Sequence, residues 1–184
     1  MFLNGVKIGF AITGCFAVIT EIIEYIKKII EEGAEVIPIV SYTVYEFYSW
    51  KEIENITHNN VIHNIQEATN IANNRMIDIL VIAPCTGNTI AKIANGISDT
   101  SVTACAKYCL INENSLVIGV HASDGLGTNA CNIGKLLNTK NIFFVPFRQP
   151  NPITKPNLIS FDKNHIIDAI KKALDKQQIQ PLLL

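Results

Sequence analysis

Charged side chains are scarce in this chain of 184 residues, and they do not cluster. Asp, Glu, Lys and Arg make up 17% of the residues, the formal net charge is -1, and no basic run is present. Nucleic-acid-binding surfaces depend on clustered Lys and Arg, so we expect no nucleic acid as a partner. The hydrophobic share of 48% is typical of a folded chain, and the length suits a single domain spanning residues 1–184.

Long hydrophobic runs are missing as well. One of the longest, residues 77–84, is far shorter than the roughly 20 apolar residues that a membrane-spanning helix needs. The amino terminus opens on a strand-like run, without the basic and apolar segments of a signal peptide. We therefore expect a cytoplasmic protein that has no membrane partner.

The cysteines do not form a disulfide framework. There are five of them, and an odd number without close spacing predicts reduced thiols in a reducing compartment. Cys105 and Cys109 lie four residues apart on a predicted helix, so they share a face. Because neither a CxxC motif nor a nearby histidine accompanies them, we predict buried cysteines there and no metal site.

What the chain does contain is an alternation of strand-length apolar runs with helix-length segments. This alternation predicts a three-layer α/β fold, Rossmann-like or flavodoxin-like, with a parallel sheet and helices on both faces. Ligands of such folds bind beyond the carboxyl ends of the strands. The predicted strands are residues 6–12, 35–40, 77–83, 116–120 and 142–145. The predicted helices are residues 16–32, 61–75, 102–111, 129–138 and 165–176, with one more after residue 88; residues 42–57 read as irregular and 146–156 as extended.

The loop after the first strand has the sequence GFAITGCFA, residues 9–17. A strand-to-helix turn exposes backbone N–H groups at the positive end of a helix, which suits a phosphate. Gly14 allows a close backbone approach, and Thr13 and the Cys15 N–H can donate hydrogen bonds. The alternative is a tight turn that needs glycine and binds no ligand.

A dinucleotide site is disfavoured by two features of the same region. Such a site uses G-x-G-x-x-G and an acidic residue at the end of the second strand. Here only Gly9 and Gly14 are present, and the second strand runs into Val40-Ser41-Tyr42-Thr43 without a carboxylate. The sequence therefore favours a phosphate ester that carries a polyol chain.

The most specific loop lies in DILVIAPCTGNTIAKIANGISD, residues 78–99. We predict that Pro84 ends the strand and that Thr86, Asn88 and Thr89 present two hydroxyls and an amide at a helix start. Gly87 would let the backbone approach a flat ring. An ordinary helix N-cap explains one such residue but not the whole run, so we favour a ligand loop.

These two loops resemble those of the FMN-binding flavoprotein family, which includes cysteine decarboxylases and flavin prenyltransferases. The resemblance implies that Thr13, Gly14 and Cys15 contact the FMN phosphate. It also implies that Ser41 and Thr43 lie near the phosphate or the ribityl chain. The residues implied to line the isoalloxazine ring are Pro84, Thr86, Gly87, Asn88 and Thr89.

Cys15 stands where that family usually carries serine. A thiol is a weak hydrogen-bond donor, so one phosphate contact would be weaker. The alternative is a reactive thiol, because the start of a helix lowers the pKa of a cysteine.

Several further segments resemble one branch of the family, the smaller subunits of a two-subunit oxidoreductase of sporulating bacteria. They are residues 33–44, 136–147, 151–159 and the ending QIQPLLL. This resemblance implies oxidation of a dihydrodipicolinate-type precursor to dipicolinate in the mother cell, with a small dicarboxylate as substrate. It also implies a larger partner subunit that binds NADP, and a homo-oligomer. The alternatives are a stand-alone FMN-dependent decarboxylase or prenyltransferase and a flavin-free scaffold subunit.

The stretch His121-Ala122-Ser123-Asp124 follows a predicted strand. In the decarboxylases of the family, a Pro-x-Met-Asn motif at this place uses its asparagine to handle a substrate carboxylate. Asp124 would repel a carboxylate, which speaks against those decarboxylations. His121 is the candidate catalytic acid or base, and the alternative is a polar residue satisfied by its own loop.

Aromatic residues are concentrated between residues 42 and 50. They would either cover a ligand ring or pack against another subunit. The five are Tyr42, Tyr45, Phe47, Tyr48 and Trp50.

Overall fold

A seven-stranded sheet runs through the computed structural model, which describes residues 2–184 apart from the side chain of Ala17. The strand order is β2-β1-β3-β4-β7-β6, and β5 pairs with β4 outside this path. Strands β1 to β5 pair in parallel, whereas β7 is antiparallel to both β4 and β6. The strands are β1 Lys7–Ile12, β2 Glu35–Val40, β3 Ile79–Cys85, β4 Ser115–Ala122, β5 Ile142–Phe144, β6 Phe147–Arg148 and β7 Ile159–Phe161.

Helices cover both faces of this sheet. The chain moves from β1 to β2 in one direction and from β2 to β3 in the other, so right-handed crossovers put their helices on opposite faces. One face therefore carries α1 and α8, and the other carries α4, α5, α6 and α7. The helices are α1 Phe16–Glu31, α2 Tyr42–Phe47, α3 Lys51–Thr57, α4 Ile65–Asn73, α5 Gly87–Ala94, α6 Ser101–Ile111, α7 Ala130–Leu137 and α8 Ile166–Leu174.

The local sequence explains how several of these elements begin and end. Helix α1 buries Ile19, Ile22, Ile26 and Ile29, which recur at helical spacing, and the chain leaves it through Gly33 at φ 96°. The Asn64 side chain accepts a hydrogen bond from the Glu67 N–H at the start of α4. A capping box between Thr100 and Thr103 starts α6. Strand β3 is buried along its whole length, as expected for a parallel strand covered on both faces.

The predicted fold class is confirmed, with one correction to the sheet. The sheet is mixed, because the residues after β5 return to the outer edge of β4. There, β5 pairs with the first half of β4, and β7 pairs in the opposite direction with His121 and Ala122 at its end. Strand β7 was not predicted, because three residues are too few for a periodic pattern.

Four local predictions also need correction. Residues 42–57 form α2 and α3 rather than an irregular segment. The helix predicted for residues 61–75 is limited to Ile65–Asn73, because Ile62 forms a bridge with Ile39 and Asn64 caps the helix. Pro84 does not end β3, which continues to Cys85. Residues 146–156 contain the short strand β6 followed by turns.

Three further observations concern membrane-spanning helices, metal-binding groups and two of the cysteines. Within residues 2–184, no helix combines the length and the apolar character that crossing a bilayer requires. In the same part of the chain, no group of His, Cys, Asp and Glu is arranged to hold a metal ion. Cys105 and Cys109 are both buried on α6, as predicted.

Candidate functional site

Two adjoining cavities open at the carboxyl ends of the central strands. We call them the hydroxyl cavity, of about 360 Å³, and the histidine cavity, of about 550 Å³. They share Gly14 and Thr86, which start the loops after β1 and β3. The hydroxyl cavity is lined by Thr13, Gly14, Ser41, Tyr42, Thr43, Thr86, Asn88, Thr89, Lys92 and Thr100. The histidine cavity is lined by Gly14, Cys15, Thr86, Gly87, His121, Ala122, Ser123, Lys155, Pro156, Asn157 and Leu158.

The side chain of Thr13 joins the two loops at the boundary between the cavities. Its side-chain oxygen donates to the Pro84 carbonyl at 2.8 Å and accepts from the Thr86 N–H at 3.0 Å. Thr13 is only 1% exposed, so these bonds are shielded from water. The Cys15 N–H donates to the Thr13 carbonyl at 2.7 Å. Thr13 therefore fixes the loop geometry with its side chain and its backbone.

Ser41 is the unusual polar group of the hydroxyl cavity. It precedes α2, yet its hydroxyl does not cap that helix. The Ser41 oxygen is buried and has no hydrogen-bond partner among the described residues. A buried hydroxyl left unsatisfied costs about 1–3 kcal/mol, so a ligand that bonds to it would recover free energy.

Helix α5 supplies the opposite wall of the hydroxyl cavity. Every helix start leaves N–H groups without intrahelical partners, together with a partial positive charge. The Thr86 and Thr89 hydroxyls are 3.3 Å apart on this first turn. One turn further along α5, the Lys92 ammonium pairs with Asp99 at 2.9 Å at the edge of the cavity. This wall is polar, donor-rich and held in place by an ion pair.

Two glycines keep side chains out of the shared region. A Cβ atom on Gly14 would lie 3.1 Å from the Thr43 methyl group, which is tighter than ordinary packing. A Cβ on Gly87 would collide with the side chains of Asp124 and Asn129, which are themselves joined by a 2.7 Å hydrogen bond. Both glycines are therefore needed for close packing, Gly14 against Thr43 and Gly87 against the Asp124–Asn129 pair, and larger residues do not fit.

His121 is the central ionisable group of the histidine cavity. Antiparallel pairing of β4 with β7 puts Ser160 opposite His121, and their Nδ1 and Oγ atoms are 2.9 Å apart. This hydrogen bond engages Nδ1, either as donor to the Ser160 oxygen or as acceptor from its hydroxyl, so Nε2 is the ring nitrogen turned to other partners.

Burial lowers the pKa of His121 below its ordinary value, and the nearby charge of Lys155 lowers it further. Both effects disfavour the imidazolium ion. A neutral imidazole with a lone pair on Nε2 is the form that can accept a proton.

The outer wall of the histidine cavity packs closely against two glycines, one in β4 and one in the loop that follows it. A Cβ on Gly119 would press on the Phe161 ring at 3.2 Å, and one on Gly125 would collide with Ile159. The Leu126 N–H also donates to the Asn157 carbonyl at 3.0 Å. These contacts anchor β7 and the segment of residues 155–158 against the end of β4.

The predicted site residues are brought together, though in two groups. Thr13, Gly14, Ser41, Thr43, Thr86, Asn88 and Thr89 line the hydroxyl cavity, whereas Gly14, Cys15, Thr86, Gly87 and His121 line the histidine cavity. Pro84 lines neither, but its carbonyl accepts the bond from Thr13. Cys15 faces the histidine cavity rather than the hydroxyl cavity.

The sequence argument missed several residues of the site. Lys92 lies one turn after Asn88 on the same face of α5, so helical spacing within the loop motif contained its signal. Lys155 and Ser160 had no comparable local signal, because only the antiparallel strand β7 brings them to β4.

The aromatic residues divide between the site and their own packing. Tyr42 lines the hydroxyl cavity, and Phe47 is exposed. The Tyr45 ring stacks on His63 with centroids 3.8 Å apart and on Trp50 at 5.5 Å. Tyr42 and Phe47 are the exposed members of the five, and the two roles, covering a ligand ring or packing against another subunit, both stay predictions.

An α/β sheet with polar loops at the carboxyl ends of its parallel strands is the architecture of many nucleotide- and flavin-binding proteins. The chain belongs to the Flavoprotein family, whose model matches residues 2–164. It is 37% identical to the B-type subunit of dipicolinate synthase from Bacillus subtilis (strain 168), over 99% of this chain and 95% of that protein. The resemblance predicted from the loops is therefore confirmed.

Solved structures agree with this assignment. The crystal structure of the B-type subunit of dipicolinate synthase from Bacillus halodurans matches with a TM-score of 0.94 and 35% identity, over 100% of this chain and 98% of that one. The FMN-dependent cysteine decarboxylase SpaF matches with a TM-score of 0.70 and 20% identity, over 95% of this chain and 98% of that one. The second likeness concerns the fold alone.

Proposed function

We propose that this chain is the small subunit of a dipicolinate synthase, that it forms one domain, and that it binds FMN in the hydroxyl cavity with the ring directed toward the histidine cavity. The observation that carries the flavin proposal is the buried Ser41 hydroxyl, which has no hydrogen-bond partner within residues 2–184 and shares the cavity with the start of α5. The similarity to the B-type subunit of dipicolinate synthase, over nearly the whole of both chains, supports the enzyme.

The residues of the hydroxyl cavity fit a phosphorylated polyol. Ser41 and Thr43 offer hydroxyls, Gly14 contributes backbone to the lining, and the first turn of α5 offers N–H donors. Lys92 adds positive charge, although Asp99 partly neutralises it. Such donors are what an anionic phosphate ester requires. The ring of FMN would extend past Thr86 and Gly87 toward the histidine cavity.

The reaction removes one hydride and one proton from a dihydrodipicolinate-type ring, which becomes aromatic dipicolinate. The hydride goes to NADP held by a larger partner, the A-type subunit of dipicolinate synthase. A bound flavin would supply a planar surface against which the substrate ring could lie, while NADP takes the only electron pair that the reaction releases. In this chain, His121 accepts the proton, because burial disfavours its imidazolium form; with Nδ1–H donating to Ser160, the accepting atom is Nε2.

The residues that follow β2 support the proposal that NADP binds to the larger partner and not to this chain. Dinucleotide sites hold a ribose with a carboxylate at this position. Here β2 ends at Val40 and is followed by Ser41, whose hydroxyl belongs to the hydroxyl cavity. We extend the proposal to a homo-oligomer of this chain within the complex and to the cytoplasm of the mother cell during sporulation.

Titration with FMN tests the cofactor. The purified chain should quench flavin fluorescence at tens of micromolar or below, with a stoichiometry of one per chain. Fluorescence unchanged over that range would rule out a flavin site in this chain.

Enzyme assays test the partnership. The chain alone should not convert the precursor to dipicolinate with NADP, and co-expression with the larger, A-type partner should give turnover. Robust NADP-dependent turnover by the purified small chain would contradict the proposed division.

A further inference from the structure

The histidine cavity combines two basic side chains with no acidic one. Of the described residues that line it, only Cys15, His121 and Lys155 are ionisable, and none carries a carboxylate. Lys155 belongs to none of the ion pairs that residues 2–184 form among themselves. The cavity therefore has an ammonium group without a protein counter-ion, unlike the hydroxyl cavity, where Asp99 pairs with Lys92.

The backbone around Lys155 is held in place on both sides. The Lys155 N–H donates to the Asn151 carbonyl at 3.0 Å, and the Lys155 carbonyl accepts from the Leu158 N–H at 3.1 Å. The neighbouring Asn157 carbonyl accepts from Leu126, in the loop after β4. Lys155 thus projects from a backbone segment held by hydrogen bonds, which places the base of its exposed side chain at the rim of the cavity.

Lys155 also acts on His121 through space. After burial, its charge is the second cause that lowers the pKa of His121. The other groups near the ring are Ser160, whose hydroxyl is hydrogen-bonded to it, and Ser123 in the following loop. The Asp124 carboxylate lies next in the chain and is engaged by Asn129.

We propose that Lys155 is a specificity-determining residue that binds a carboxylate of the substrate in the histidine cavity, beside His121. Naming that substrate a dihydropyridine dicarboxylate, with dipicolinate as the product, rests on the proposed function. The carboxylate neutralises the ammonium charge of Lys155 and brings negative charge close to the imidazole. Binding therefore raises the pKa of His121, so that the base becomes stronger only when a carboxylated ring is present.

The test uses the full chain with dipicolinate as the probe and its neutral diamide, pyridine-2,6-dicarboxamide, as the matched control ligand. Calorimetry should detect dipicolinate binding and not diamide binding. In Lys155→Gln, dipicolinate affinity should fall by about tenfold or more, as expected when a charged hydrogen-bond partner is removed. Lys155→Arg should stay within about threefold of the wild type, because it keeps the charge.

A second readout follows the imidazole directly. NMR titration should show a higher pKa for His121 in Lys155→Gln than in the wild type, each without ligand. Dipicolinate should raise that pKa in the wild type and have a much smaller effect in Lys155→Gln. His121→Asn assigns the resonance among the four histidines of the chain.

Lys51→Gln is the control for net charge, since Lys51 is exposed on α3 and lines neither cavity. Its dipicolinate affinity should equal that of the wild type. The proposal is overturned if the wild type does not bind dipicolinate, if Lys155→Gln binds it as tightly, or if Lys51→Gln weakens it equally. FMN titration of the same samples separates the two proposals, because loss of flavin binding with dipicolinate binding retained contradicts only the proposed function.

Discussion

The hydroxyl cavity and the histidine cavity share Gly14 and Thr86 but are built in different ways. The first lies among loops that follow parallel strands, and its lysine is paired with Asp99. The second needs the antiparallel strand β7, and its lysine has no carboxylate partner in residues 2–184. A cavity with a spare hydroxyl and a paired cation suits a resident cofactor, whereas an unpaired cation beside a base suits a substrate that comes and goes.

The strongest perturbation of the hydroxyl cavity is Gly14→Asp. It adds a side chain where even a Cβ would lie 3.1 Å from Thr43, and it brings negative charge to the expected phosphate position. We expect flavin binding to fall below detection, measured by fluorescence quenching. Gly134→Asp is the matched control, because Gly134 lies on α7 with open space around its Cβ position. If Gly14→Asp binds FMN normally, the phosphate is bound elsewhere.

Ser41→Ala tests whether the Ser41 hydroxyl binds the ligand or stabilises the fold. The Ser41 oxygen has no hydrogen-bond partner in the described part of the chain, so we expect FMN affinity to fall about tenfold, or ~1.4 kcal/mol, with the melting temperature unchanged or raised. Ser115→Ala should show the opposite pattern, because the Ser115 hydroxyl donates to the Ala173 carbonyl at 2.6 Å away from both cavities. That variant should lose about 1 kcal/mol of stability and keep its flavin affinity. If Ser41→Ala instead lowers the melting temperature, the Ser41 hydroxyl makes a hydrogen bond that stabilises the fold.

Cys15→Ser tests the role of the Cys15 thiol. Cys15 lines the histidine cavity and not the hydroxyl cavity, so a better donor at this position does not reach the expected phosphate; FMN affinity should change by less than about threefold, and activity should be kept. If Cys15 were a nucleophile, serine would be inert without a base. Flavin affinity and turnover of the assembled enzyme decide between the two. Activity lost with flavin affinity intact would favour the thiol.

The smallest expected effect concerns pH and the histidine cavity. The pKa of His121 lies below its ordinary value of about 6.5 in the folded chain, so the unfolded chain binds a proton more readily. This contribution to stability is therefore constant above that value and decreases as the pH falls below it. Melting temperatures measured across this range should fall less steeply in His121→Gln than in the wild type. Identical slopes would mean that His121 is not held neutral by the fold.

Much of the hydroxyl cavity could be predicted from the sequence. Gly14, Thr86 and Asn88 lie in strand-to-helix turns, where the local pattern specifies both the backbone shape and its place at the sheet edge. Strand β7 and the true extent of α4 could not be predicted in this way. The Ile62 bridge to Ile39 and the β7 pairing with β4 join segments distant along the chain, and short segments carry little periodic signal.

The sequence by itself determined the alternating α/β architecture, the polar loops at the carboxyl ends of the strands and the likeness to the flavoproteins. These features depend on hydrophobic periodicity, glycine and hydroxyl residues within about 20 positions of one another. Only the tertiary structure decided that Ser160 meets His121, that Lys155 faces the same cavity, and that the Ser41 hydroxyl lacks a partner. Those facts depend on which distant segments pack together, because hydrogen bonding and charge pairing are properties of neighbours in space.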